Sequence, residues 1–125
     1  MEIFDILRFA VDKRSDLTMT DAYTEVGNVS LDNCDMGTYE YGLSLTSIFD
    51  QTNKSEYLRF STDGGNTWYE FSSEPADKTD DNPTSYNFFL ENMSGALNFQ
   101  VQARKEDATG VMSIHFVDTY IRRVA

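Results

Sequence analysis

An all-β chain folded as an antiparallel β-sandwich is what this sequence predicts, and three observations carry the prediction. Apolar side chains recur with a period of two in segment after segment, as they must where successive strand residues point to opposite faces of a sheet. The segments are short, start roughly every ten residues, and are bounded by Asp, Asn, Gly or Ser, the residues that turn a chain. No convincing helical stripe interrupts them. A chain of 125 residues is expected to form one domain over residues 1–125, long enough to close a hydrophobic core without disulfides or metal.

The first segment, "IFDILRFAV", fits a helical stripe through Ile3, Leu7 and Ala10 and a strand through Phe9 and Val11 about equally. Its β-branched and aromatic content, with so many strands downstream, decides for a strand. "AYTEVGNVSL" is a shorter candidate. In "TYEYGLSLTSIF", Tyr39, Tyr41, Leu43 and Leu45 share one face, and Glu40, Gly42, Ser44 and Thr46 the other. "EYLRF" and "TWYEF" flank a turn, and "SYNFFLEN" is another short candidate. "ALNFQVQARKE" alternates cleanly, with Leu97, Phe99, Val101 and Ala103 against Asn98, Gln100, Gln102 and Arg104. "VMSIHFVDTYI" places Met112, Ile114 and Phe116 inward and His115 outward, before the register blurs between Val117 and Ile121 as at a β-bulge.

The turn is "STDGGNTW", Ser61 to Trp68. Gly64 and Gly65 accept the positive φ that tight hairpins demand, and Asp63, Ser61 and Thr67 can bond the backbone nearby. Trp68 would cover the turn with its ring. Position for position, Ser61-x-Asp63-x-Gly65-x-Thr67-Trp68 resembles the Asp-box of sialidases and related β-propellers. The resemblance implies a surface hairpin turn remote from any active site. The chain has one copy and is too short for a propeller. It predicts a structural turn of Ser61, Asp63, Gly64, Gly65, Thr67 and Trp68, with no catalytic residue.

Chemistry is sparse elsewhere. Twenty-one acids against ten bases give a net charge of −11, which argues against nucleic acid and against an anionic membrane surface as partners. Cys34 is the single cysteine and His115 the single histidine, so neither an internal disulfide nor a Cys-based zinc site can form. The loop "SSEPADKTDDNPTS" gathers Glu74, Asp77, Asp80 and Asp81, but lacks the ligand ladder and closing Glu of an EF-hand. It reads as a solvated connection, and no cofactor or metal is expected. The start "MEIFDILRF" carries acids where a signal peptide is cationic, and no apolar run is long enough to cross a bilayer. A soluble product of a cytoplasm is the expectation.

The larger pattern is similar to small bacteriophage virion proteins. It is carried by "GTYEYGLSLT", "FDQTNKSEYLRFSTDGGNTWYEF", "EPADKTDDNP", "FQVQARKED" and a closing "YIRRVA", from about Tyr23 onward. The resemblance implies a jelly-roll-like, tumour-necrosis-factor-like (TNF-like) sandwich. Such a protein is typically a homotrimer, seated among other virion proteins as decoration or adaptor on a capsid or tail. It implies a virion location and no enzymatic activity. The generous aromatic supply would suit packing between subunits, through strands around Tyr39–Phe49 and Phe99–Ala103. The alternative is a carbohydrate-binding module, with Trp68, Tyr69 and Tyr86 as a glycan platform. A small hydrolase using Asp77 or Asp81 comes third.

Overall fold

A computed structural model of the chain describes residues 8–51, 54–75 and 83–125. Seven strands run through them: β1 (Phe9–Arg14), β2 (Leu17–Met19), β3 (Thr24–Phe49), β4 (Ser55–Ser61), β5 (Tyr69–Pro75), β6 (Thr84–Lys105) and β7 (Met112–Arg123). All pairings are antiparallel, in the order β1-β7-β3-β6-β4-β5, with β2 also on β7. The architecture is the expected all-β, jelly-roll-like sandwich.

One hydrogen-bonded sheet becomes two layers because its longest strands fold over. Eleven residues of straight strand cover roughly 36 Å, yet the rings of Phe88 and Phe99, both in β6, have centroids 6.3 Å apart. The fold-over lies where the β3–β6 register shifts, between Leu31 and Tyr39. There Asn33, Asn92 and Gly95 take φ of 55°, 57° and 79°, and Asn and Gly enter that left-handed region at the least cost. The segments expected as separate short strands are therefore the two arms of β3 and the two arms of β6.

The first layer holds β1, β2, β7, residues 39–49 of β3 and 84–90 of β6; the second holds residues 24–31 of β3, 97–105 of β6, β4 and β5. Between them lie the alternating side chains. Tyr41 meets Phe99 edge-on at 5.4 Å, Phe60 stacks on Phe88 at 4.5 Å, and Phe71 meets Tyr86 at 4.8 Å. At the β1 edge, Asp12 accepts from the Asn28 N–H at 2.9 Å and Arg14 reaches Glu25 at 2.7 Å, tying the layers together.

Three expectations are corrected or completed. The first segment is strand from Phe9 to Arg14, and its residues 3–7 lie outside the described residues. Met112 and Ile114 are buried, but Phe116 is 73% exposed. Ser44 pairs with Asp118 and Thr46 with His115, so Phe116 and Val117 together oppose Leu45, and Phe116 has φ 53°. This bulge reverses the alternation, and Val117, Thr119 and Ile121 point inward after it. Finally, Tyr39, Tyr41, Leu43, Leu45, Phe49, Phe99, Val101 and Ala103 are all at most 1% exposed. The side chains expected to join subunits are the core itself, and the exposed aromatics lie elsewhere.

Candidate functional site

Strand register builds two outward faces. On the first layer, Phe9, Arg122, Glu40 and Phe89 stand abreast across β1, β7, β3 and β6, and the next row is Val11, Tyr120, Gly42 and Asn87. The Glu40 side chain is only 4% exposed. It accepts from Arg122 Nε at 2.6 Å, the Tyr120 hydroxyl at 2.6 Å and Asn87 Nδ2 at 2.7 Å. Burial pushes its carboxyl up, but the bonds from Tyr120, Arg122 and Asn87 outweigh this and hold it below the ordinary range. Gly42 makes the arrangement fit: a Cβ there would stand 2.1 Å from the Tyr120 ring, which lies across the strand to reach Glu40.

Apolar groups surround this satisfied ionic centre. Phe9 is 54% exposed, Phe89 60% and Val11 38%. Phe9 and Val11 border a shallow hollow of about 390 Å³, and beside it a second of about 460 Å³ runs to the bulged Phe116, with Lys13 and Asp118 common to both.

The outward face of the second layer carries the turn. Ser61 Oγ donates to Asp63 Oδ1 at 2.7 Å and accepts from the Gly65 N–H at 2.9 Å. Asp63 Oδ1 accepts from the N–H groups of Asn66 and Thr67 at 3.0 and 2.9 Å. Gly64 and Gly65 have φ of 76° and 93°. Bonds from Ser61 and Thr67 hold the Asp63 carboxyl down to about 2. Ser61, Asp63, Gly65 and Thr67 thus form one bonded unit with Gly64 at its tip. The Trp68 ring covers the turn as expected, 3.5 Å from where a Gly65 Cβ would stand, while also stacking on Arg59.

Arg59 begins a ladder. Its guanidinium lies 4.4 Å from the Trp68 ring and 4.0 Å from that of Tyr23; Arg104 lies 5.3 Å from Tyr23 and 4.2 Å from Tyr57. The order is Tyr57, Arg104, Tyr23, Arg59, Trp68, all half-buried. The other two residues of the expected aromatic platform lie elsewhere. Tyr69 packs on Phe60 at 5.4 Å and Tyr86 on Phe71 at 4.8 Å. Among the described residues no ring contact joins either to Trp68.

Tyr57 and Arg59 alternate along β4, and Arg104 ends the outward run Gln100, Gln102, Arg104, so the period-two pattern held a signal for the ladder. Tyr23 gave none, nor did Glu40, whose partner Arg122 is 82 residues away.

His115 is half-buried and pairs with Asp16, in the gap between β1 and β2 that faces the β7 bulge. Cys34 is buried and free, its Sγ 3.3 Å from the Leu31 carbonyl. Burial pushes the Tyr41 phenol up to about 12, with Cys34 and Tyr39 adding to the effect. Among the described residues no group of three His, Cys, Asp or Glu side chains is arranged to hold a metal. Asp77, Asp80 and Asp81 lie outside the described residues, as does the side chain of Glu74.

No family model and no curated protein matches the sequence. Solved structures match the fold. A chain of the infectious bursal disease virus particle (Gx strain) superposes with a TM-score of 0.62 at 8% identity, over 93% of this chain and 33% of that one. The VP2 subviral particle of the same virus gives 0.55 at 9% identity, over 94% and 38%. TmCBM61, solved in complex with β-1,4-galactotriose, gives 0.50 at 14% identity, over 92% and 83%. The chain spans about a third of the length of the viral chains it matches. The likeness, at these identities, is one of fold, shared by viral capsid proteins and carbohydrate-binding modules.

Proposed function

We propose that this chain is a non-enzymatic structural component of a virus particle of the bacteriophage type, working as an oligomer, most simply a trimer, among other capsid or tail proteins. The observation that carries the reading is the outer face of the first layer. Phe9, Val11 and Phe89 are presented around a Glu40–Arg122–Tyr120 centre whose hydrogen bonds are already satisfied, so a neighbour can cover that centre without stranding a charge. Exposed apolar groups gathered on one sheet face mark an interaction surface. The viral fold neighbours support a particle context, and closed symmetry would bury identical patches without open-ended growth.

Light scattering tests this directly. The purified chain should assemble, and Phe9→Asp with Phe89→Asp should leave a folded monomer. A wild-type monomer at high concentration, absent from any particle, would overturn the proposal.

A second reading is favoured by a different observation. The Tyr57–Arg104–Tyr23–Arg59–Trp68 ladder offers rings and hydrogen-bond donors on one open face, as a sugar-binding surface does, and a galactotriose-bound module shares the fold. Retention on a glycan column, lost on Trp68→Ala, is the expected result if this surface binds sugar.

A further inference from the structure

The arginine–aromatic ladder of the second layer is, we infer, a binding surface for an acidic glycan, an oligosaccharide bearing carboxylates. This deepens the glycan reading and rests on it. The argument begins with where the cations of an acidic chain end up. Among the described residues Lys13, Arg14, Lys54 and Arg122 all lie within ion-pair distance of carboxylates. Arg59 and Arg104 do not, although acids outnumber bases by 21 to 10. Arg8 and Lys105 also end on backbone carbonyls, but of these only Arg59 and Arg104 are stacked on aromatic rings.

Their partners are neutral. Arg59 donates through Nε and Nη2 to Gln102 Oε1, at 2.8 and 2.6 Å. Arg104 donates through Nη1 to the Lys105 and Glu106 carbonyls, at 3.1 and 3.2 Å. The nearby Glu70 carboxylate is taken by the Tyr23 hydroxyl at 2.9 Å, and Glu25 is taken by Arg14. Two guanidiniums therefore share the Tyr23 ring with no carboxylate in direct ion-pair contact with either, Glu70 across the strand from Arg59 being held on the Tyr23 hydroxyl, and several N–H donors are unspent. An arginine fork suits a carboxylate in particular, since it can meet both oxygens at once. Tyr57 and Trp68 at the ends of the ladder supply flat apolar surface against which sugar rings can lie. In an acidic sugar the carboxylate sits on the ring that stacks, whereas Asp and Glu of an acidic peptide carry the charge with no ring of their own, so the glycan is the better fit.

Trp68 is the only tryptophan and belongs to the ladder, so its emission reports on this surface alone. The protein is titrated with tetragalacturonate and with galactotetraose, its neutral counterpart. The expected result is a saturable change of Trp68 emission, with the acidic sugar binding about tenfold or more tighter. Arg59→Gln or Arg104→Gln should each weaken acidic binding by about tenfold, as loss of a charge-assisted bidentate contact does. If either variant melts early, Arg59→Lys and Arg104→Lys keep the charge and lose the fork, and should still weaken binding severalfold. Equal binding of the two sugars would overturn the acidic assignment and leave the glycan reading standing. No saturable response to either would overturn both. Polyglutamate binding as tightly as tetragalacturonate would overturn the glycan assignment in favour of a general anion surface.

Discussion

On the outer face of the first layer Arg122 ends on a buried carboxylate; on that of the second layer Arg59 and Arg104 end on aromatic rings. The first arrangement spends its charge internally. Glu40 is surrounded by three donors, and what remains outside is Phe9, Val11 and Phe89. The second keeps its charge available, because a ring attracts a cation without neutralising it. Faces of one sandwich, built on the same two strands, thus suit different occupants: a flat apolar neighbour on one side, an anionic one on the other.

Substitution can break or sharpen that contrast. The largest effect is expected at Glu40→Ala, which leaves the Tyr120 hydroxyl and the Arg122 guanidinium without their acceptor and should cost about 2–4 kcal/mol in urea unfolding. Next is Gly65→Val, about 1–3 kcal/mol, because φ of 93° strains any β-branched residue. Unchanged melting with lost glycan binding would show that the turn serves the ladder and not the fold. Arg59→Ala should cost under about 1 kcal/mol, since a partly exposed cation–π stack contributes little. A loss as large as that at Glu40 would make the ladder a structural brace.

The smallest effect should be acid sensitivity. Asp63 and Asp107 are both held at about 2, against an ordinary 3.8. A depressed carboxyl adds stability that is fully present above its unfolded value and is lost as pH falls through its folded one. The loss belongs between about pH 4 and pH 2. Asp63→Asn should flatten part of that slope when unfolding is followed by Trp68 emission.

How far the sequence spoke depends on the range of the interaction. The alternation of Leu97 to Ala103 and the hairpin at Gly64–Gly65 were legible because each is decided by near neighbours. The bulge at Phe116 left a blur without an address: one inserted residue reverses every side chain after it, and only pairing with Ser44 and Thr46 fixes where. The joining of four expected short strands into β3 and β6 was hidden by Asn33 and Asn92, which read as turn residues and serve as corners within a strand. The ladder was half-visible in β4 and β6. Glu40 was not, since an outward acid in a half-buried strand looks like any solvated one until Arg122 and Tyr120 arrive from the far end of the chain.

The bent β3–β6 ribbon has a consequence in time. Leu45 pairs with Thr84, and Thr24 pairs with Ala103, while the outer partner of the first-layer arm is β7. A ribosome making this chain releases β3, with Tyr39, Tyr41, Leu43 and Leu45, long before either neighbour exists. Among the described strands only β4 and β5 pair as a local hairpin. Folding must therefore wait for the C-terminal third and close long loops late, which makes it slow and leaves β3 open to wrong partners meanwhile. A nascent chain stalled before Thr84 should be held by chaperones, and one extended past Arg123 released.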